Sequence, residues 1–172
     1  CVPPYVRISR VLRDIPGKFI VGGLKNSLRD GVKKRMLEQG VECRCIRCRE
    51  YGHRLRRRSP IGESHLARYD YDASEGKEIF LSFEDSNGTL FGLLRMRVQP
   101  EAVPGINGDG GKNHSVVREL HVYGPEVPLH AKNAGAAQHK GFGKALLAEA
   151  ERIAAREFGC SILAILSGVG AR

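Results

Sequence analysis

The chain has 172 residues, 41% of them hydrophobic and 27% charged, with a formal net charge of +9, enough for one domain or one and a half with a real core. No apolar run approaches the roughly 18 residues that a membrane-spanning helix needs, and no secretory leader is visible, so membrane insertion and secretion are not expected and a cytoplasmic setting is. The charge is lopsided: residues 1–62 carry 16 Lys and Arg against 5 Asp and Glu, and residues 63–172 carry 12 against 14, so a module at +11 is joined to one at −2.

That concentration of cations attracts polyanions through phosphate contacts and counterion release, which makes nucleic acid the expected partner of the first third. Tyr5 to Val11 alternates like a short strand and runs into the turn Asp14-Ile15-Pro16-Gly17. Asn26 can cap a helix from about Ser27 to Gln39, with Leu28, Val32, Arg35, Met36 and Gln39 on one stripe and Gly40 as its stop. Then come Cys43, Cys45, Cys48 and His53, three thiols and an imidazole within eleven residues. Four soft or borderline ligands at that spacing suit a tetrahedral structural Zn²⁺, which would pin a basic loop with little apolar core. Reduced thiols without metal are the alternative, and His65 or a water can stand in for His53. Arg44, Arg47, Arg54, Arg56, Arg57 and Arg58 lie around this cluster and are the expected nucleic-acid contacts.

From Glu63 the pattern changes. Residues 65–71 and 78–84 read as strands across a turn at Ser74–Lys77, and Asp85-Ser86-Asn87-Gly88 is a hairpin signal leading into a third strand over 89–98. Residues 101–113, with Gly105, Gly108, Gly110 and Gly111, read as a flexible loop, and Ser115 to Tyr123 alternates as a fourth strand. After a polar loop at 133–137, Gln138-His139-Lys140-Gly141-Phe142-Gly143-Lys144 opens a helical run from Ala145 to Phe158. Two glycines at a helix start let backbone amides approach a ligand closely, the helix dipole adds about half a positive charge, and Lys144 can add a full one. The turn therefore suits an anion. It is neither a Walker loop nor a complete dinucleotide fingerprint. Ala145, Leu146, Ala150, Ile153 and Ala154 form the apolar face of the helix, Gly159 its C-cap, and Cys160 to Leu166 a buried strand. The chain breaks off at Arg172 inside what reads as a loop leaving that strand, as expected of a fragment.

The Gln138-x-x-Gly141-x-Gly143 turn, set between a strand and a helix, resembles the signature of the GCN5-related N-acetyltransferase fold, in which this helix start holds the pyrophosphate of acetyl-CoA. The implied fold class is α/β (α+β): a mixed, mostly antiparallel sheet flanked by helices over 63–172, truncated at its C-terminus, preceded by a small basic zinc-binding linker over 1–62. The likeness extends further. Arg13-Asp14-Ile15-Pro16, Cys48-Arg49-Glu50, Phe80 to Asp85, Gly92-Leu93-Leu94-Arg95, Val117 to Gly124, Gln138 to Gly143, Glu149 to Ala154 and Ser167 to Gly170 resemble, in order, the catalytic subunit of Elongator.

That resemblance implies a tRNA-modifying enzyme that forms 5-carboxymethyluridine at the wobble position, uridine 34. Its two-carbon unit comes from acetyl-CoA: a 5′-deoxyadenosyl radical activates the acetyl methyl, the carbon adds to uridine C5, and the thioester is hydrolysed. It also implies a preceding radical S-adenosylmethionine domain with a 4Fe-4S cluster, which these 172 residues do not contain, and a last strand with a tyrosine near the thioester, absent as well. Glu119, Leu120, His121 and Val122 would contact acetyl-CoA from the strand, with Gln138, Gly141, Phe142, Gly143 and Lys144 around the pyrophosphate and Glu119 or His121 in a direct chemical role. The expected partners are tRNA, acetyl-CoA, and either a second copy or other Elongator-type subunits. A protein lysine N-acetyltransferase and a non-catalytic CoA- or tRNA-binding scaffold are the alternatives.

Overall fold

The computed structural model describes residues 2–11, 15–23, 28–99, 114–124 and 141–168. The chain forms two compact units, 1–49 and 50–172. Charge and packing thus divide it at different places: the arginine-rich stretch after Glu50, grouped by charge with the first third, belongs by its contacts to the second unit.

In the first unit, α1 (Leu28–Glu38) ends as its sequence directs, with Gly40 at φ 69° and the Val41 amide donating to the Met36 carbonyl. None of its side chains is buried. The alternating stretch from Tyr5 to Val11 is not a strand; instead the Val6 carbonyl accepts from the Ile46 amide (2.9 Å), the Pro4 carbonyl from Arg49 (2.9 Å) and the Ser9 carbonyl from Arg47 (3.2 Å). An alternating pattern needs a neighbouring strand to become one, and here the neighbour is the single-turn helix α2 (Ile46–Arg49). Among the described residues of this unit, the buried apolar ones are Cys45, Ile46 and Cys48.

The second unit begins with α3 (Tyr51–Arg56) and continues as β1 (Ser64–Ala73), β2 (Gly76–Asp85), β3 (Leu90–Gln99), β4 (His114–Val122), α4 (Phe142–Arg156) and β5 (Leu163–Ile165). The sheet runs in the order β1-β2-β3-β4-β5; the first four are antiparallel neighbours and β5 is parallel to β4. This is the mixed, mostly antiparallel sheet expected. β2 and β3 are central, buried over most of their length, whereas β1 alternates between half-buried and exposed as an edge strand should.

Helix α4 covers one face of the sheet. Leu146, Ala150, Ile153 and Ala154 pack on Ile79, Leu81, Leu94, Met96, Val98 and Val117, and each large side chain so buried stabilises the fold by about 1.5–3 kcal/mol. Ala145, expected on that face, is exposed, and Leu147 packs in its place; the helix already starts at Phe142, and Phe142 rather than Ala145 anchors its first turn. Gly159, at φ 65°, follows the helix as expected.

The β2–β3 hairpin hangs on Asp85, whose Oδ1 accepts from the Thr89 amide (2.7 Å) and Oδ2 from the Gly62 amide (2.8 Å), with Gly88 at φ 77° closing the turn. Burial alone would push this carboxyl up, but the amides of Gly62 and Thr89 outweigh it and hold it below its ordinary value. A depressed folded-state pKa means stability that is present above the unfolded value and lost as pH falls. Asp85→Ala is therefore expected to lose about 1–3 kcal/mol in urea unfolding at neutral pH. The gap to the parent should narrow as pH falls below about 4, where the unfolded chain takes up the proton. A gap independent of pH would assign the effect to packing instead of the anion.

Candidate functional site

Strand β4 has two different halves. From Ser115 to Val117, all buried, it lies between β3 and β5, paired in parallel with Leu163, Ala164 and Ile165. At Arg118 the register to β3 slips: Val117 faces Met96 and Glu119 faces Arg95, so Arg118 is the extra residue of a β-bulge. The Leu166 amide donating to the Val117 carbonyl (3.0 Å) is the last link to the β5 side. Beyond it, Glu119 to Val122 pair with β3 only, among the described residues, and leave one backbone edge of β4 open. Leu120 (42% exposed), Ile165 (53%) and Leu166 (68%) stand near this divergence, giving an apolar setting to unpaired amides and carbonyls.

The start of α4 packs against the same end of β4. Val122 packs with Phe91 and Phe142, and a Cβ placed on Gly143 would lie 3.6 Å from Val122 Cγ2. Gly141 holds the N-cap at φ 72°, a left-handed conformation that glycine adopts without strain. Its carbonyl accepts the first intrahelical bond, from Ala145 (3.0 Å), so the amides of Phe142, Gly143 and Lys144 have no acceptor within the helix. Lys144 is exposed, whereas the Phe142 ring is buried, stacked on Phe83 at 4.6 Å. Phe142 can thus offer a ligand its amide but not its ring. Gln138 lies outside the described residues, as do His139, Lys140 and the loop at 133–137.

Strand alternation divides the four β4 residues. Leu120 and Val122 are on the α4 face, Glu119 and His121 on the opposite one. Glu119 Oε2 accepts from Arg95 Nε at 2.9 Å, and the Arg95 guanidinium lies over the Phe80 ring at 5.4 Å. His121 is exposed, its ring 4.5 Å from that of Tyr123. Arg95 is the site neighbour that sequence reasoning missed. Its signal was an arginine within an otherwise apolar central strand, which demands an internal partner.

The thiols of Cys43, Cys45 and Cys48 lie within 4.8 Å of one another, the first half-buried and the other two buried. Zn–S bonds of about 2.3 Å in tetrahedral geometry put sulfurs just under 4 Å apart, so the cluster fits such an ion after small side-chain adjustment. Burial and the neighbouring Cys45 and Cys43 push the Cys48 thiol up to about 11, whereas Cys45 is lowered: burial opposes this, but hydrogen bonds from Cys48, Cys43 and Ile8 prevail. The cluster found among the described residues does not include His53, which lies in the second unit and there faces Glu50 at 3.5 Å, nor His65, which is exposed on β1.

The arginines are of two kinds. Arg44 and Arg47 are exposed in the first unit, Arg47 also donating to Ser9. In the second unit Arg54 donates to the Asn87 carbonyl and is engaged in the fold, while Arg56, Arg57 and Arg58 are exposed.

No family model matches the chain. It is 59% identical over 171 residues to a tRNA uridine(34) acetyltransferase of Dehalococcoides mccartyi (99% of this chain, 37% of the relative). It is 44% identical to the protein of the same name from Methanocaldococcus jannaschii (99% and 32%) and 42% identical to Elongator complex protein 3 of Saccharomyces cerevisiae (99% and 31%). A solved structure, the archaeal Methanocaldococcus infernus Elp3 with an N-terminal deletion, superposes with a TM-score of 0.83 at 43% identity, over 98% of this chain and 40% of that one. The chain thus spans about a third of the length of the curated relatives it matches. Along nearly all of its own length, it belongs to the family of Elongator complex protein 3 and the tRNA uridine(34) acetyltransferases.

Proposed function

We propose that this chain is the acetyl-CoA-binding portion of an enzyme that modifies uridine 34 of tRNA in the cytoplasm. The observation that carries the reading is that, among the described residues, Glu119–Val122 have an open backbone edge beside the amides of Phe142–Lys144, which have no acceptor within the helix. A pantetheine arm has amide groups spaced along an otherwise apolar chain, which matches an unpaired strand edge beside Leu120 and Leu166. A pyrophosphate is the anion that a glycine-opened helix start accommodates, with Lys144 adding charge. Because the helix start packs on Val122, this orientation carries the thioester back along β4 toward the bulge. Glu119 is then the nearer of the two candidate catalytic groups. Arg95 holds one of its carboxylate oxygens, leaving the other to orient a water toward the thioester carbonyl, and His121 flanks the arm one pleat further on. The name of the relatives, the exposed arginines and the net charge of +9 support tRNA as the substrate. Transfer of the two-carbon unit to uridine C5 would need the radical chemistry of a separate S-adenosylmethionine and 4Fe-4S domain, and a second copy or further Elongator-type subunits would complete the assembly.

Cys43, Cys45 and Cys48 would hold a structural Zn²⁺, with His53 or a water as the fourth ligand. Its contribution would be to fix the first unit, which buries little apolar surface of its own.

Acetyl-CoA binding measured by calorimetry tests the central claim, with Gly143→Glu beside the parent. A carboxylate in the first turn of a helix favours the helix itself, and a Cβ there meets Val122 at an ordinary 3.6 Å, so the variant is expected to fold. Its anion should nonetheless weaken acetyl-CoA binding at least about tenfold. Equal binding by both proteins would place the pyrophosphate elsewhere, and tRNA binding without any acetyl-CoA binding would favour the scaffold alternative. For the metal, protein purified without added zinc should carry about one equivalent, and Cys48→Ser should lose it together with thermal stability. Well under one equivalent with all thiols freely titratable would rule the zinc site out.

A further inference from the structure

Among the described residues, three helix ends close with a residue in the left-handed region. After α1 it is Gly40 (φ 69°) and after α4 it is Gly159 (φ 65°), but after α3 it is Arg58 (φ 54°). The closure at α3 is a complete Schellman motif, with the Arg58 amide donating to Leu55 (3.0 Å) and the Ser59 amide to Arg54 (3.2 Å). A residue with a Cβ is strained there where glycine is not. The Arg58 side chain is exposed, and neither it nor Arg57 makes a side-chain hydrogen bond or ion pair among the described residues. Among the described residues, then, no side-chain contact of Arg58 offsets the strain, and a strained side chain that the fold does not use points to use by a ligand.

The segment that bears it is fastened along its length. Tyr51 packs on Phe91 with ring centroids 5.6 Å apart, and Arg54 donates to the Asn87 carbonyl. Asn87 Nδ2 donates to the Pro60 carbonyl (3.2 Å), and the Gly62 amide to Asp85 (2.8 Å). The β2–β3 hairpin tip therefore clamps both sides of Arg56-Arg57-Arg58. Arg56 Nε is held by Gly52 at 3.1 Å, leaving its terminal nitrogens free of partners among the described residues.

We infer that the β2–β3 hairpin presents Arg56, Arg57 and Arg58 as a preformed contact for the phosphate backbone of RNA, with Arg58 a phosphate ligand at a glycine position and Asn87 its positioning residue. Three adjacent cations without an acidic partner match a polyanion, and clamping them beforehand reduces the ordering that binding would otherwise require. The inference deepens the tRNA reading and rests on it. It also differs from a plain count of basic residues, because it removes Arg54 from the contact and adds an uncharged asparagine.

The test measures binding of a tRNA transcript to the 172-residue chain by fluorescence anisotropy across salt concentrations, with thermal unfolding alongside. Arg58→Gly should raise Tm by about 2–4 °C as the strain is released. The same change should weaken tRNA binding several-fold and make the salt slope shallower by about one counterion. Arg58→Lys should keep most of the affinity and the parent's Tm. Asn87→Ala should weaken binding while leaving the slope unchanged, because positioning is lost and charge is not. An Arg58→Gly protein that binds as tightly as the parent with the same slope overturns the inference alone, and an indifferent Asn87→Ala overturns the clamp. A parent that binds no tRNA overturns the tRNA reading as well.

Discussion

The site depends on where β4 stops having two neighbours. A backbone amide or carbonyl removed from water must find a partner, and as far as Val117 both edges of β4 find theirs in β3 and β5. The bulge at Arg118 ends that arrangement. One inserted residue re-aims the rest of the strand; among the described residues, Glu119 to Val122 remain bound to β3 and keep an open edge on the other side. The same slip sets the alternation beyond it: Leu120 and Val122 turn toward α4, and Glu119 toward Arg95. Without the extra residue the two pairs would exchange faces. Leu120 and Val122 would then leave the helix start, and Glu119 would leave its guanidinium.

The first unit solves a different problem. Helix α1 buries no side chain, and among the described residues the apolar ones hidden from water in this unit are two cysteines and an isoleucine. Its backbone is tied by carbonyls of the 2–11 segment that accept from Ile46, Arg47 and Arg49. A three-thiol cluster at the centre of so thin a core is where a metal ion would contribute most, since ligand bonds replace the hydrophobic contacts that the segment is too polar to make.

Arginine is used in this chain for two purposes that a net charge merges. Arg29, Arg49 and Arg54 each donate to a loop carbonyl (Ile8, Pro4 and Asn87), and Arg49 is only 5% exposed. A guanidinium carries five donors on a long apolar stem, so it can satisfy carbonyls that irregular backbone leaves open. Such arginines belong to the fold, and the cationic surface left for a polyanion is smaller than the net charge suggests.

Sequence alone determined what depends on neighbours along the chain. Strand-forming runs bounded by turn signals located β1 to β4 within a residue or two, the Asp85–Gly88 turn joined two of them, and Gly40, Gly141 and Gly159 sat where helices start or stop, because backbone conformation at a glycine is a local property. The Cys43, Cys45 and Cys48 grouping was equally legible, since three ligands within six residues can hardly avoid one another. Only tertiary structure decided what depends on a partner distant in the chain. It made 5–11 a loop rather than a strand, turned Phe142 into the core in place of Ala145, and engaged Glu119 with Arg95. In each case the side chain had more than one chemically acceptable environment, and the choice was made by which strand, helix or carbonyl the folded chain brought next to it.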